Sequence, residues 1–336
     1  MNQLNIGLVG LGRIGKVHLE NLLYRIPEAK VIAVSNPGRK GHQFAQNAGI
    51  KEIYRDSLKV IQHPKVDAVV LCSPTDTHFP FIKAAAKAGK DIFCEKPLDL
   101  TIEKIHKINK IIHRHQVKLQ VGFNRRFDPG FKKVKQQVEA GKVGQLHLLK
   151  ITSRDPAPPP VSYIKVSGGL FMDMTIHDFD MARFITDSEV EEVFAKAAVR
   201  VDPAIGKAGD IDTAAITLKF TNGCLAQIDN SRQAVYGYDQ RLEIFGSKGM
   251  SQLNNSYPET QHFFDHNGGH QGLPYNFFMD RYTDSYCNEL KAFIHAIIKN
   301  EPVPVDSIDA LKATQIALAA NRSLKKNKPV LIKQAD

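Results

Sequence analysis

The chain has 336 residues, which is enough for two domains that each bury a core of their own. Its residues are 43% hydrophobic and 24% charged, as in ordinary globular proteins, and no apolar run reaches the length of a membrane span. The lysines and arginines behind the net charge of +10 are scattered, so an anionic coenzyme and a basic surface explain them without nucleic acid. Four cysteines without close pairing predict reduced thiols in a cytoplasmic protein, and the first strand begins too early to leave room for a signal peptide.

The first 123 residues alternate strands and helices, which predicts a Rossmann dinucleotide-binding domain. An apolar strand over residues 4–9 leads into a Gly-x-Gly-x-x-Gly sequence and a helix that runs to about residue 23. Such glycines allow a tight turn, a close approach of a pyrophosphate, and packing of the helix on the strand. The residues predicted to bind the coenzyme here are Gly10, Gly12, Arg13, Ile14 and Gly15.

The end of the second strand bears on the choice between NAD and NADP. In NAD-binding domains this position usually carries an acidic residue that binds the adenosine ribose. Here the strand over residues 30–35 is followed by Asn36, which can hydrogen-bond a ribose hydroxyl without repelling a 2′-phosphate. Arg39 and Lys40 could attract such a phosphate or could belong to a solvated loop. The sequence leaves NAD and NADP both open and favours NAD.

Two polar clusters follow later strands of this domain. The strand over residues 66–72 is followed by a Ser-Pro-Thr turn, and the strand over residues 91–94 by a Glu-Lys-Pro sequence. Ligands of open parallel sheets bind beyond the carboxyl ends of the strands, so both clusters are predicted to contact the coenzyme. Lys96 places an ammonium group where the nicotinamide end would lie. The coenzyme-binding residues predicted at this edge are Ser73, Pro74, Thr75, His78, Glu95 and Lys96.

Residues 168–181 carry the clearest catalytic pattern in the second half of the chain. Two glycines lead into a run without proline, which predicts one mostly buried helix. Asp173 and His177 are four residues apart, which would place both side chains on one face of that helix. A carboxylate beside an imidazole holds its tautomer and raises its basicity, as a general base requires. A buried structural pair is the plainer interpretation, and the motifs elsewhere in the chain favour catalysis over it.

Residues 124–336 are predicted to form a second, α+β domain with a large, open and mainly antiparallel sheet, so the chain as a whole is of the α/β class. Asn222-Gly223 predicts a tight hairpin between two of its strands. The strand-like runs cover residues 146–152, 190–201, 212–220, 224–231 and 241–245. The other predicted elements are a rigid active-site loop at 156–160, a flexible substrate-proximal loop at 254–280, and amphipathic helices at 282–299 and 307–326.

Taken in order, these motifs resemble the glucose–fructose oxidoreductase/inositol dehydrogenase family, Gfo/Idh/MocA. The glycine-rich turn, the Ser-Pro-Thr turn, the Glu-Lys-Pro sequence and the Asp173/His177 pair follow the family order over nearly the whole chain. The chain departs from many members at Asn36, where they have aspartate, and this concerns the coenzyme preference. Within the family, four strings are similar to the bacterial inositol 2-dehydrogenase branch, at residues 122–128, 152–159, 168–181 and 236–239.

The resemblance implies an NAD(P)-dependent dehydrogenase that oxidises myo-inositol, or a close isomer such as scyllo-inositol, to the 2-keto-inositol. By position in the family motifs, His177 would accept the hydroxyl proton, Asp173 would orient the imidazole, and Lys96 would stabilise charge on the substrate oxygen. The resemblance also implies a dimer or tetramer formed through the open face of the sheet. The further residues expected to bind the hydroxyl groups of a cyclic polyol are Arg126, Asp155 and Tyr236.

Three other interpretations stay open at this point. The same chemistry could act on another sugar or polyol, because ring stereochemistry is not written in these strings. A non-catalytic dinucleotide sensor would be expected to lose the lysine or the histidine, whereas this chain keeps Lys96 and His177. Asp178 beside His177, or the His266/His270 pair, could suggest a metal, but hydride transfer needs none and the ligand spacing is poor, so no metal is predicted.

Overall fold

A computed structural model describes residues 3–332 of the chain. The chain divides into two units, which are described separately below. The first contains the chain up to Phe127 together with Asp284–Thr314, and the second contains Asp128–Thr283 together with the chain from Gln315 onward. Among residues 3–332, no helix is both long enough and apolar enough to cross a membrane.

The first unit is built on one sheet of six parallel strands that are connected by helices. The strands are β1 (Leu4–Val9), β2 (Ala29–Ser35), β3 (Glu52–Tyr54), β4 (Ala68–Leu71), β5 (Asp91–Glu95) and β6 (Leu119–Gly122). The helices between them are α1 (Arg13–Tyr24), α2 (Arg39–Asn47), α3 (Ser57–Ile61), α4 (His78–Lys87) and α5 (Ile102–His115). The order across the sheet is β3-β2-β1-β4-β5-β6, which is that of a Rossmann fold. The predicted dinucleotide-binding fold is confirmed.

The core of the first unit forms because its central strands are apolar along their whole length. All four residues of β4 are buried, as is typical of a parallel strand covered on both faces. Leu290 and Phe293, from the segment that returns late in the sequence, pack in the same core as Leu8 and Phe93. Each such buried side chain contributes about 1.5–3 kcal/mol of hydrophobic stabilisation. This explains why the late segment belongs to the first unit.

The second unit contains a seven-stranded sheet and a separate hairpin formed by the strands β13 and β14 given below. Its strands are β7 (Leu146–Arg154), β8 (Val190–Ala198), β9 (Thr213–Phe220), β10 (Leu225–Ser231), β11 (Asp239–Gly246), β12 (Gly249–Leu253), β13 (His262–Asp265), β14 (Gly268–Gln271) and β15 (Val330–Leu331). Its helices are α6 (Pro129–Glu139), α7 (Val161–Ser167), α8 (Leu170–Asp173), α9 (Ile176–Thr186), α10 (Pro203–Lys207) and α11 (Phe278–Arg281). Two long helices follow in the chain. Apart from its first residue, α12 (Thr283–Ile298) belongs to the first unit, and α13 (Ser307–Lys326) begins in the first unit and ends in the second.

The seven-stranded sheet is mainly antiparallel, as predicted. Its order is β12-β11-β7-β10-β9-β8-β15, and within residues 3–332 the pair β7–β10 is its one parallel pair. The predicted hairpin at Asn222-Gly223 joins β9 to β10 and is confirmed. Along β9, buried residues alternate with residues that face away from the helices, so one face of the sheet is covered and the other is open.

Residues 168–181 do not form the single helix that was predicted. Helix α8 ends at Asp173, and α9 begins at Ile176. At the break, the hydroxyl of Thr175 donates to Oδ1 of Asn230 on β10 at 2.6 Å, and its N–H donates to the carbonyl of Leu170 five residues back. A threonine hydroxyl competes with regular helical hydrogen bonding, and here its partner lies on the sheet. The four-residue spacing therefore does not place Asp173 and His177 on one uninterrupted helix.

Other segments also hold more regular structure than the sequence analysis assigned. The predicted loop at 254–280 contains the hairpin β13–β14, whose eight strand residues are all exposed. No element was predicted for the stretch that forms α2, β3 and α3, or for α6. The two C-terminal helices agree closely with prediction, since α12 covers Thr283–Ile298 and α13 covers Ser307–Lys326.

Candidate active site

The turn after β1 adopts a conformation that only glycine permits at its first position. Gly10 has a φ of +92°, and its N–H donates to the carbonyl of Ser35 at 2.8 Å. A Cβ at this position would lie 2.7 Å from the carbonyl oxygen of Cys72. Residues with a side chain rarely adopt this φ, and no space remains for one. Gly10 therefore allows the tight turn between β1 and α1.

The other two glycines of the turn differ in what surrounds them. A Cβ at Gly15 would lie 1.9 Å from the carbonyl oxygen of Gly10, so α1 packs directly on the turn. A Cβ at Gly12 would meet no atom of the chain within 4 Å. Gly12 also precedes α1 without a side-chain cap, and Arg13 and Ile14 form the first turn of that helix. A helix N-terminus with open space beside it fits the pyrophosphate of a dinucleotide.

Asn36, at the end of β2, is tied to the glycine-rich turn. Its Oδ1 accepts from the N–H of Leu11 at 3.0 Å, and its Nδ2 donates to the carbonyl of Gly38 at 2.9 Å. The following Arg39 and Lys40, at the start of α2, are exposed. An aspartate could keep the first of these bonds but could not donate the second. Its contact with a coenzyme ribose stays a prediction.

The loop after β4 is held by its own side chains and by His78. The hydroxyls of Ser73 and Thr77 lie 2.6 Å apart, and Pro74 and Thr75 complete this turn. His78 is 1% exposed, with Nε2 lying 2.9 Å from the carbonyl of Ser73 and Nδ1 lying 3.0 Å from that of Pro97. Burial lowers the pKa of His78, although both carbonyls act to raise it. His78 thus joins the two loops predicted to contact the coenzyme, and a direct contact of its own stays a prediction.

The Glu-Lys-Pro sequence lies at the carboxyl end of β5. Oε1 of Glu95 lies 2.6 Å from Nε2 of His18, a residue of α1 that sequence analysis did not identify. Lys96 is half-buried and precedes a cis bond to Pro97. Parallel sheets bind ligands at this edge, and the contacts of Lys96 with a coenzyme and a substrate stay predictions.

Arg126 belongs to the first unit and forms an ion pair there. Its Nη2 donates to Oδ1 of Asp309 at 2.8 Å, and its side chain is 10% exposed. A guanidinium has five N–H donors, so this pair leaves the predicted polyol contact untested.

Asp173 lies in the second unit between a phenol and a guanidinium. Its Oδ1 accepts from the hydroxyl of Tyr163 at 2.8 Å, and its Oδ2 lies 3.0 Å from Nη1 of Arg232. Arg232 is 2% exposed. Burial acts to lower the pKa of Arg232, but Asp173 and Asp155 outweigh it, and the pKa is raised. Arg232 is therefore a permanent positive charge that keeps Asp173 in its carboxylate form.

Two further carboxylates surround the same guanidinium. Oδ2 of Asp155 lies 3.4 Å from Nη1 of Arg232, and the charge of Asp210 also acts on it. Asp210 in turn accepts from the N–H of Leu170 at 3.1 Å, in space that a Cβ at Gly169 would fill. The structure thus brings the predicted residues Asp155 and Asp173 together around one arginine.

His177 is half-buried in the first turn of α9, and the next residue anchors that turn to the sheet. Asp178 is fully buried, and its carboxylate accepts from Ser153 on β7 at 2.6 Å and from Asn230 on β10 at 2.8 Å. Thr175 donates to the same asparagine. Asp178 therefore faces the sheet and fixes the helix turn that presents His177. Orientation of the imidazole by Asp173 stays a prediction.

Tyr236 belongs to a different network. Its hydroxyl donates to Asp239 at 2.5 Å and accepts from Arg154 at 3.1 Å. Burial and the bond to Asp239 raise the pKa of Tyr236, so the hydroxyl stays protonated. Arg154 alternates along β7 with the buried Ser153, and it therefore lies on the open face of the sheet. The predicted polyol contact of Tyr236 stays a prediction.

Sequence analysis missed Arg232, Tyr163, Ser153 and Asn230. Arg232 directly follows β10, and Asp155 directly follows β7. These two strands are parallel neighbours, so their carboxyl ends meet at one edge of the sheet. The polar residues after both strands were a usable signal, but it depended on knowing that β7 and β10 pair.

Both units match one family of known proteins. Residues 4–123 match the oxidoreductase family described by its NAD-binding Rossmann fold. Residues 131–252 match the GFO/IDH/MocA C-terminal domain. The two matches follow each other in the order predicted from the motifs.

Individual relatives cover nearly the full chain. YrbE, an uncharacterized oxidoreductase of Bacillus subtilis, is 49% identical over 99% of this chain and 98% of its own length. The myo-inositol 2-dehydrogenase of Thermotoga maritima is 48% identical over 98% of this chain and 99% of its own length. The crystal structure of scyllo-inositol dehydrogenase from Lactobacillus casei with bound NAD(H) and scyllo-inositol has a TM-score of 0.92 and 33% identity, and the match covers 98% of this chain and 99% of that one. The chain belongs to the GFO/IDH/MocA family of oxidoreductases.

Proposed function

We propose that this chain is an NAD(P)-dependent inositol 2-dehydrogenase. It would oxidise myo-inositol, or a close isomer such as scyllo-inositol, to the 2-keto-inositol by hydride transfer. The observation that carries the proposal is the similarity, over both units and nearly the full length, to a dehydrogenase named for myo-inositol. The space beside Gly12 supports the proposed binding of a dinucleotide coenzyme. NAD is favoured because the family description and the bound relative both name it.

The proposed chemistry assigns one task to each of three residues. When bound, the nicotinamide coenzyme takes the hydride from the carbon that bears the reacting hydroxyl. His177 accepts the proton of that hydroxyl, and Lys96 stabilises the negative charge that develops on the oxygen. Asp173, held as a carboxylate by Arg232, favours the protonated imidazole that results. The proton transfer to His177 predicts a rate that rises with pH as this imidazole loses its proton.

We propose that Asp155, Arg126 and Tyr236 bind the substrate. The contacts of each residue support this role to a different degree. Asp155 shares the Arg232 guanidinium with Asp173, which supports a place for it among the polyol-binding groups. Arg126 is paired with Asp309, and Tyr236 is hydrogen-bonded to Asp239 and Arg154. Of the three, Asp155 is the first residue to test. A carboxylate accepts from two neighbouring hydroxyl groups, as a cyclic polyol requires.

The proposed function is tested by a matrix of substrates against coenzymes. Myo-inositol, scyllo-inositol, glucose and an open-chain polyol are each incubated with NAD and with NADP, and the absorbance of reduced nicotinamide is followed. We expect turnover with at least one inositol isomer and a higher kcat/KM with NAD. Turnover with glucose or the open-chain polyol but with no inositol would show that the substrate is another sugar or polyol. Coenzyme binding without any turnover would instead indicate a dinucleotide sensor.

We also propose that the protein is a homotetramer or dimer that serves inositol catabolism in the cytoplasm. The open sheet face of the second unit supports the assembly, because charged side chains of both signs line a concavity of about 670 Å³ there. These side chains include Lys150, Lys196, Asp229, Arg241 and Glu243. Free thiols at Cys72, Cys94, Cys224 and Cys287 support a reducing compartment. Light scattering of the purified chain tests the assembly, and a monomeric mass would contradict it.

A further inference from the structure

Three ionisable side chains of the first unit meet inside the protein, and one of them, Glu95, directly precedes Lys96 in the sequence. Nε2 of His18 lies 2.6 Å from Oε1 of Glu95 and 3.8 Å from Oε1 of Glu289. His18 and Glu289 are fully buried, and the side chain of Glu95 is 13% exposed. They come from α1, β5 and α12, so the fold itself brings them together.

The surroundings of this cluster are poor in polar partners. The rings of Phe93 and Tyr286 meet the His18 imidazole edge-on, with centroids 5.2 and 5.8 Å away. Neither carboxyl oxygen of Glu289 has a hydrogen-bond partner, and Nδ1 of His18 has none either. An ionised carboxylate buried without a hydrogen bond is strongly unfavourable, and a neutral acid is the usual outcome.

The two carboxyl groups are not equivalent. Glu95 is partly exposed and hydrogen-bonded to His18, whereas Glu289 is fully buried without a hydrogen bond. Burial and then the charge of Glu95 raise the pKa of Glu289 well above its ordinary value. The titratable or charged side chains around the cluster are His18 on α1, Cys72 after β4, Cys94 and Glu95 on β5, Lys96 directly after β5, and Tyr286 on α12. Burial raises the pKa of Cys72 well above its ordinary value, so this thiol adds no charge.

A metal ion is the competing occupant, because one ligand atom from each of the three residues lies within 4.8 Å of the others. Ligands bound to a first-row metal at about 2.0–2.2 Å stand roughly 3 Å or more apart in tetrahedral geometry. The 2.6 Å contact between His18 and Glu95 is shorter than this and is a hydrogen bond. The imidazole nitrogen that would bind the metal is therefore already in use, and a proton fits the cluster better.

We propose that Glu289 is a neutral carboxylic acid in the native protein, and that His18 and Glu289 are positioning residues that hold Glu95 and thereby set the place of Lys96. A Cβ at Gly122 would lie 3.0 Å from Oε2 of Glu95, so the carboxylate is confined between His18 and the neighbouring strand. The part concerning Lys96 rests on the proposed function. The part concerning the proton on Glu289 does not.

The proton is tested without substrate or coenzyme, by infrared difference spectroscopy of the wild-type chain against Glu289→Gln. We expect a C=O stretch of a protonated carboxylic acid at neutral pH that is missing in the variant. The amide has the size and neutrality of the acid, so the variant should fold. Absence of the band, or a Glu289→Gln chain that does not fold, would overturn the proposal. A metal bound in stoichiometric amount and removed by chelators would overturn it as well.

Thermal unfolding as a function of pH gives a second readout. A group with a raised folded pKa keeps its proton in the folded state while the unfolded chain loses it above a pH of about 4.3, so stability falls as the pH rises. Glu289→Gln lacks this loss. The Tm difference between variant and wild type should therefore grow in favour of the variant from about pH 5 to about pH 8. A constant difference would mean that Glu289 is ionised.

The positioning role is tested by kinetics with the conservative variant as a rescue. His18→Ala should raise the KM for the coenzyme by roughly 10-fold or more, the size expected for a lost hydrogen bond to a charged group. Glu289→Ala should raise this KM less, because Glu289 packs 3.8 Å from the His18 imidazole without a hydrogen bond. Glu289→Gln should restore the KM, whereas a general loss of structure would not be rescued. Glu103→Gln, on the exposed face of α5, is the matched control. Wild-type KM values in both alanine variants would overturn the positioning role while leaving the proposed function intact. A lack of turnover with any inositol would overturn the proposed function together with the positioning role, and the proton on Glu289 would still be tested by the infrared band.

Discussion

In the first unit the predicted pyrophosphate site is made of backbone, whereas in the second unit the candidate site is made of charged side chains. The start of α1 at Gly12 offers N–H groups and empty space, and the tight turn before it depends on Gly10, which has no side chain. The guanidinium of Arg232 instead gathers Asp155 and Asp173 from distant parts of the sequence. The first design suits a coenzyme shared by many enzymes. The second can change its substrate by exchanging single side chains.

The largest expected effect concerns the imidazole of the second unit. His177→Ala should lower kcat by about 10²–10⁴-fold, the usual contribution of a general base, and should flatten the rise of the rate with pH. Coenzyme affinity should stay near that of the wild type, because the coenzyme contacts are assigned to the first unit. Stopped-flow absorbance and coenzyme fluorescence measure the two quantities. His106→Ala is the control, because His106 is exposed on α5. Equal rates for both variants would contradict the assignment of proton transfer to His177 in the second unit.

The next effect is on stability and tests whether the second site really depends on one buried charge. Arg232→Gln should lower the free energy of unfolding by about 3–5 kcal/mol, because it leaves the buried Asp173 carboxylate without its counter-charge. Arg25→Gln is the matched control, since Arg25 pairs with Asp284 on the surface and an exposed pair is worth about 0–1 kcal/mol. Urea unfolding measures both. Similar losses of unfolding free energy in the two variants would show that Asp173 does not depend on Arg232 as a buried counter-charge.

A pair of glycine variants sharpens the same comparison from the side of the first unit. Gly15→Ala should cost about 1–3 kcal/mol of stability, because its Cβ would overlap the carbonyl oxygen of Gly10. Gly12→Ala should fold normally and bind NAD roughly 10-fold or more weakly, because its Cβ meets only the space left for the pyrophosphate. Unfolding curves and calorimetric titration separate the two outcomes. Weaker stability with unchanged affinity in Gly12→Ala would contradict the role of that space.

The same difference explains which parts of the site were predictable from the sequence. The roles of Gly10, Gly12 and Gly15 follow from local spacing, since a turn is set by a few neighbouring residues. Glu95 and Lys96 were predictable for a similar reason, because the strand pattern alone places them at the end of β5.

The contacts of the second site were not predictable in this way. Arg232 meets Asp155 only because β7 and β10 pair in parallel, and pairing between strands separated by more than 70 residues is not written in either strand. The break at Thr175 has the same origin, since its partner Asn230 lies on β10. Local helix propensity favoured an unbroken helix, and a tertiary hydrogen bond overrode it.

The last expected effect concerns Asp212, which supports Arg232 through the backbone. Its carbonyl accepts from the N–H of Arg232 at 2.8 Å, and its carboxylate accepts from three backbone N–H groups, at Arg200, Val201 and Asp202. Burial acts to raise the pKa of Asp212, but these bonds outweigh it, and the pKa lies below its ordinary value. Asp212→Asn should therefore cost about 1.5–3 kcal/mol at neutral pH, the worth of a hydrogen bond to a charged group.

The stability lost in Asp212→Asn should depend on pH. A carboxyl group with a lowered folded pKa stabilises the protein fully above its unfolded pKa of about 3.9, and this stabilisation disappears as the pH falls through the folded pKa. The gap in unfolding free energy between the wild type and Asp212→Asn should thus be constant from about pH 7 to about pH 5 and should close below about pH 4. Urea unfolding at these three pH values measures it. If the difference in unfolding free energy persisted in acid, the negative charge of Asp212 would not be what stabilises the backbone at residues 200–202. The backbone of the second unit would then depend as little on side-chain charge as the glycine turn of the first unit does.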